Sequence, residues 1–244
     1  MRFTLGWLYP DLMNIYGDRG NILTLLQRAA WRGLDAKLVE LGRGNHKEME
    51  EVDVFFFGGG QDKEQALVYE DLLEFKQAPL ERAVAEGAQV LAVCGGYQFL
   101  GHYYQTADGE RYPGIGLIDV KTEAGKNRFI GDVVVETDIA DLKPRSLVGF
   151  ENHSGRTFLG PKAKPLGRVV IGHGNNGEDR QEGCIQGGVI GSYLHGSLLP
   201  KNPHLADHLI RSALRRRGVV ELSPLDDSTE LAAHDLILQR AQRR

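Results

Sequence analysis

The chain has 244 residues, of which 41% are hydrophobic, and its 29 lysines and arginines against 33 aspartates and glutamates give a net charge of −4. That composition suits a globular protein with a sizeable core, and gives no reason to expect nucleic acid or an anionic membrane as partner. No apolar run approaches the ~20 residues that cross a bilayer, and MRFTLGWLYPDL is not a secretory leader, so direct membrane insertion is not expected. The expected compartment is the reducing cytoplasm, where Cys94 and Cys184 remain thiols.

In chain order, RFTLGWL (2–8) predicts a first strand and Tyr9 to Gly20 a loop. Asn21 is placed to cap a helix through ILTLLQRAAW that Gly33 ends. AKLVEL (36–41) predicts a second strand. VDVFFF (52–57) is a continuous apolar run, the pattern of a strand buried on both faces. Lys63 to Glu86 is helical in composition, with Pro79 breaking or restarting it. QVLAV (89–93) is another buried strand, and YQFLGHYY begins a helix. This alternation implies an α/β fold, an open, mostly parallel sheet flanked by helices.

The second half is strand-rich: GIGLIDVKT, RFIGDVVVET, SLVGFE, GRVVIGHG, GCIQG and GVIGSYLHG are separated by turns, GNNGED (174–179) among them. Helices near His204 to Arg217 and Ser228 to Arg240 close the chain. The RRR and QRR clusters read as solvated helix faces. With no repeat, linker or clean boundary, residues 1–244 read as a single domain.

Two glycine-rich turns should share the carboxyl end of the sheet: GGGQD after Phe57 and CGGYQ after Val93. A cysteine at a tight strand-to-helix turn is held exposed near unpaired N–H groups, which favour its thiolate. It needs small neighbours, here Ala92, Gly95 and Gly96. This is the logic of a nucleophile elbow, with Cys94 as the nucleophile. The Gly95 N–H points where an oxyanion would form, and Gly59 or Gly60 is the candidate second donor. Among the eight histidines, His195 has the best context for a base, at the end of the strand GVIGSYLHG; His153 in GFENHSGRT is next. His46, His102, His173, His204, His208 and His234 read as surface residues. No spacing fits a metal site, and no phosphate-binding GxxxxGK[ST] occurs, so no metal is expected and no nucleotide on such a loop.

VCGGYQFLG, GFENHSGRT and GSYLHG, in that order, resemble the class I glutamine amidotransferase domain, CobB/CobQ-like branch. Within that branch, YPDLMNIYGDRGN, GGGQD and the stand-alone length resemble glutaminase subunits that serve a separate Mur-ligase-like, MurT-type synthetase. That pair amidates the D-glutamate of the lipid II stem peptide with ATP and L-glutamine. The resemblance implies Cys94 and His195 as the catalytic pair and Gly95 and Gly60 as the oxyanion hole. It places Arg128, Gln98 and Gly59 on the glutamine substrate. No cofactor is implied on this chain, ATP and magnesium belonging to the partner. Another acceptor, such as a corrin acid, or a binding module without chemistry, is the alternative. Triad members of the class carry a glutamate two residues after the histidine, where this chain has Ser197. Either Cys94 and His195 work as a dyad, or an acid arrives from Glu151 or the partner. YGDRGN reads as a helix-capping loop, or as a partner surface or pocket lid, with Asp18 and Arg19 its charged residues.

Overall fold

The computed structural model of the chain describes residues 1–14, 18–60 and 62–243; Tyr16 and Gly17 of YGDRGN and Gln61 of GGGQD lie outside the described residues. The first half runs β1 (Arg2–Leu8), α1 (Arg19–Trp31), β2 (Asp35–Leu41), β3 (Val54–Phe57), α2 (Asp62–Asp71), α3 (Gln77–Ala85), β4 (Gln89–Val93) and α4 (Gly95–Leu100). The second holds β5 (Tyr103–Gln105), β6 (Arg111–Pro113), β7 (Val120–Thr137), β8 (Ser146–Leu159), β9 (Gly167–Ile171), β10 (Gln181–Glu182), β11 (Cys184–Gln186) and β12 (Val189–Ser192), then α5 (Pro203–Leu214) and α6 (Ser228–Gln242).

One sheet has the order β11-β12-β4-β3-β1-β2, parallel throughout except for β11 at its edge. The apolar runs explain it. Alternate residues of a strand face opposite sides, so a strand covered on both sides must be apolar at every position. Val54 and Phe56 point into a core shared with Ile22 and Leu25 of α1 and Leu209 of α5. Phe55 and Phe57 point into a second core with Val68, Leu80 and Tyr97. Each fully buried phenylalanine contributes roughly 1.5–3 kcal/mol of transfer free energy.

The second sheet has the order β10-β9-β7-β5-β6, with β8 on the other edge of β7. It is mostly antiparallel, and its spine is the β7–β8 hairpin. GIGLIDVKT and RFIGDVVVET, expected as two strands, contribute to one long β7, because a register shift between Ala124 and Phe129 bulges the chain without ending the ladder. Such a bulge re-aims the side chains it carries.

Several expectations change. α1 begins before Asn21, whose side chain is buried inside the helix and accepts the Leu199 N–H at 2.8 Å. The helix does end at Gly33, which takes the left-handed φ of 73°. Pro79 neither breaks nor restarts the helix, which runs on over 62–85; the irregularity is one π-helical turn over Leu72–Lys76, just before the proline. The helix after Cys94 ends at Leu100, and YYQ turns into β5. Arg216 and Arg217 are not merely solvated: both meet the buried carboxylate of Asp53, each at 2.7 Å. His234 is fully buried between Ser146 and the Lys201 carbonyl. Cys94 and Cys184 form no disulfide. Among the described residues no helix is long and apolar enough to cross a membrane.

Candidate active site

Cys94 follows β4 directly and adopts φ 52° and ψ −109°, a left-handed φ that costs a non-glycine residue on the order of 1–3 kcal/mol. The surroundings hold it there. Its N–H donates to the Ser192 carbonyl at 2.9 Å, and its own carbonyl accepts the Gln98 N–H at 3.0 Å. The Gly96 N–H donates to the Gly58 carbonyl at 3.0 Å, tying the elbow to the loop after β3. A Cβ on Gly96 would collide with the Phe57 carbonyl, and one on Gly191 of β12 with the Tyr97 ring. The elbow geometry therefore depends on small residues in α4 and on the neighbouring strand β12. The helix behind Cys94 has only six residues, so dipole stabilisation of a thiolate is confined to a short segment.

β12 lies beside β4 in parallel register, Ser192 opposite Val93. The strand stops at Ser192, three residues before the expected histidine. Tyr193 and Leu194 lead on to His195, whose backbone bridges to Phe150 of β8, its N–H donating to the Phe150 carbonyl at 2.8 Å. His195 thus belongs to the seam between the two sheets. It is 1% exposed, and burial, reinforced by the positive charge of Arg128, pulls its pKa down to about 4. At neutral pH it is a neutral imidazole, able to accept a proton.

Arg128 stands on the β7 bulge, with Nη1 donating to the Asn152 side chain at 3.0 Å and its carbonyl at 3.2 Å. Its charge adds to the burial that depresses both His195 and His153. Gln98 lines the inner wall, its Nε2 donating to the Tyr193 hydroxyl at 3.0 Å; that hydroxyl shares a 2.7 Å hydrogen bond with Thr157, which meets Thr122 at 2.8 Å. Tyr193 in turn feels the charge of Cys94.

The Gly59 N–H is taken by the buried Asp18 carboxylate at 2.9 Å. Of the two glycines weighed as second oxyanion donor, Gly59 is therefore occupied. Gly60 is held tightly, since a Cβ there would collide with Met13 sulfur. Asp18 makes no side-chain cap on α1; it pins the GGG loop instead, and burial raises its pKa to about 6. The functional loop at the sheet's carboxyl end is thus tied to YGDRGN. Arg19 opens α1.

Glu151 is buried, but it accepts the backbone N–H groups of His173 and Gly174, each at 3.1 Å, and the His173 ring. Ser197 has φ 51° and its side chain lies against Gly20, at the start of α1.

Two residues escaped the sequence reading. Glu182 is fully buried; one oxygen accepts from the Ser192 hydroxyl and the Tyr193 N–H, both at 2.8 Å, while the Ser192 hydroxyl accepts the Leu194 N–H at 3.0 Å. It fixes the turn by which the chain leaves β12 for His195, and burial raises its pKa to about 7. Tyr193 is the hub of the inner wall. Neither stands in a periodic pattern or at a turn signal, so no local feature marks them.

A cysteine on a strained elbow, with a buried histidine beyond the neighbouring parallel strand, has the layout of a class I glutamine amidotransferase, and the chain belongs to the CobB/CobQ-like glutamine amidotransferase domain family, which it matches over residues 4–203. It is 42% identical over 242 residues, 99% of this chain and 97% of the relative, to the lipid II isoglutaminyl synthase (glutamine-hydrolyzing) subunit GatD of Staphylococcus aureus (strain N315). It is 41% identical to the GatD subunit of Streptococcus pneumoniae (strain ATCC BAA-255 / R6), over 88% of this chain and 82% of the relative. Its fold matches the crystal structure of a glutamine amidotransferase with TM-score 0.56 at 20% identity, covering 86% of this chain and 98% of the other.

Proposed function

We propose that the chain is the glutaminase subunit of a lipid II isoglutaminyl synthase, hydrolysing L-glutamine and handing ammonia to a Mur-ligase-like, MurT-type partner that amidates D-glutamate of the stem peptide. The observation that carries this reading is that Cys94 and His195 follow adjacent parallel strands, β4 and β12, in a chain similar to GatD subunits along nearly its full length.

His195 removes the Cys94 thiol proton as sulfur attacks the glutamine Cδ. The carbonyl oxygen becomes an oxyanion facing the N–H groups of Gly95 and Gly60. The protonated His195 returns that proton to the nitrogen, the Cδ–N bond breaks, and ammonia leaves a γ-glutamyl thioester. Water then loses a proton to His195, its oxygen attacks the thioester, and the thiol leaves with the proton as glutamate forms. Arg128 grips the substrate α-carboxylate, for which a guanidinium fork is suited. Gln98 and Gly59 line the substrate. The base works as a dyad with Cys94. Glu151 already serves the His173 ring, and position 197 is serine.

This chain carries no cofactor in the reaction; ATP and magnesium act on the partner, in the cytoplasm. The test is to mix the purified chain with a Mur-ligase-like, MurT-type synthetase, and to measure glutamate release and amidation of lipid II. Cys94→Ala should lower glutamine hydrolysis by about 10⁴-fold or more, while added ammonia sustains amidation. Intact hydrolysis in the variant would sink the mechanism. Hydrolysis without lipid II amidation by any such pair would leave the glutaminase and reject this acceptor.

A further inference from the structure

His153 sits on the inner face of β8. Burial alternates along that strand, so Glu151, His153, Gly155 and Thr157 turn inward while Phe150, Asn152, Ser154 and Arg156 do not. His153 is 2% exposed. Its ring stacks face to face on Tyr193, with centroids 3.7 Å apart and planes 6° from parallel, and meets Phe129 edge-on at 5.6 Å. These contacts lock the ring against the wall that also holds Gln98.

The tautomer follows from the chemistry of its neighbours. Nδ1 lies 2.9 Å from the Gly155 carbonyl, which can only accept, so Nδ1 carries the hydrogen. Nε2 therefore presents a lone pair, and that atom is buried with no hydrogen-bond partner among the described residues. A buried acceptor without a donor is costly to leave unmade, and sites that hold one usually complete it with a ligand or water. The ring is also a poor base. Burial, with the charges of His195, Arg156 and Arg128 adding to it against the Gly155 hydrogen bond, pulls its pKa down to about 3. His153 is thus an acceptor that does not become an acid.

Resting on the glutaminase reading above, we infer that His153 Nε2 accepts a hydrogen bond from the carboxamide N–H of glutamine and then from the departing ammonia. The role suits a residue beside the base. His195 supplies the proton that breaks the Cδ–N bond, and His153 orients the nitrogen lone pair toward it by holding one N–H. A carboxylate there would favour ammonium; a neutral imidazole with a depressed pKa holds ammonia without protonating it, so it stays nucleophilic.

The experiment compares two substrates on the full chain: L-glutamine and L-glutamate γ-methyl ester, whose leaving group has no N–H. kcat/KM reports the acylation step for both. His153→Phe keeps an aromatic ring for Tyr193; His153→Asn keeps a donor for the Gly155 carbonyl but does not reach the Nε2 position. Both variants should lose about tenfold in kcat/KM for glutamine and change by less than about threefold for the ester, the size of one lost hydrogen bond. Equal losses on the two substrates would overturn the inference and assign His153 to the support of His195 or of the fold. Unchanged glutamine turnover would also overturn it. If the wild-type chain turns over neither substrate, the glutaminase reading itself fails.

Discussion

The two sheets divide the site unequally. The parallel sheet supplies Cys94 and its elbow from strand ends and glycine turns, local features that follow directly from apolar runs. The antiparallel sheet supplies Arg128 from a bulge and His153 from an inward polar face, and receives His195 through the Phe150 bridge. In the proposed mechanism the first sheet holds the reacting atom, and the second supplies charge, hydrogen bonding and the seam that carries the base. Chemistry placed at strand ends tolerates many loop sequences, whereas a polar wall works only where each group meets a particular partner.

If that division is right, variants on the two sides should fail differently. His195→Ala should cost glutamine hydrolysis on the order of 10³-fold or more, and because the ring is buried the variant's melting temperature is measured alongside to separate loss of the base from loss of packing. Near-wild-type turnover would move the base elsewhere. Arg128→Ala should raise KM for glutamine about tenfold or more with a smaller effect on kcat. It should also shift the acid limb of the pH–rate profile upward, since the guanidinium helps hold His195 at about 4. A limb that stays put while KM rises would separate substrate binding from the electrostatics of the base.

The smallest effect concerns Glu182. Its pKa in the folded chain, about 7, exceeds the ordinary 4.5, so the folded state holds a proton that the unfolded state has lost. Stability should therefore fall as pH rises from about 4.5 to about 7, and the full penalty persists above. Glu182→Gln removes the charge and keeps an acceptor for Ser192 and Tyr193. Its stability relative to wild type should improve between pH 4.5 and pH 8, by at most on the order of 3 kcal/mol. Denaturant titrations at the two pH values check this, and a pH-independent difference would show that the carboxyl is not strained by burial.

β1 and β4 begin and end at their expected bounds, because a strand covered on both faces must be nearly continuously apolar; β2, at the sheet edge with charged residues on it, still falls within a residue of its expected bounds. CGGYQ likewise announced an elbow through glycines that leave no room for a Cβ. The misreadings have one character. Arg216 and Arg217 read as solvated until Asp53, far away in sequence, met them; His234 read as exposed because its partners Ser146 and Lys201 are distant.

By itself the sequence determined the parallel sheet, the strained turn at Cys94 and the family chemistry, since backbone periodicity, glycine and short motifs are local properties. Tertiary structure alone decided which polar group answers which. Asp18 went to Gly59, Glu151 to His173 and Glu182 to the turn before His195, while His153 Nε2 was left with none among the described residues. A buried polar atom is placed by a partner anywhere in the chain, and an inward face built from Glu, His, Gly and Thr carries no hydrophobic period to reveal it.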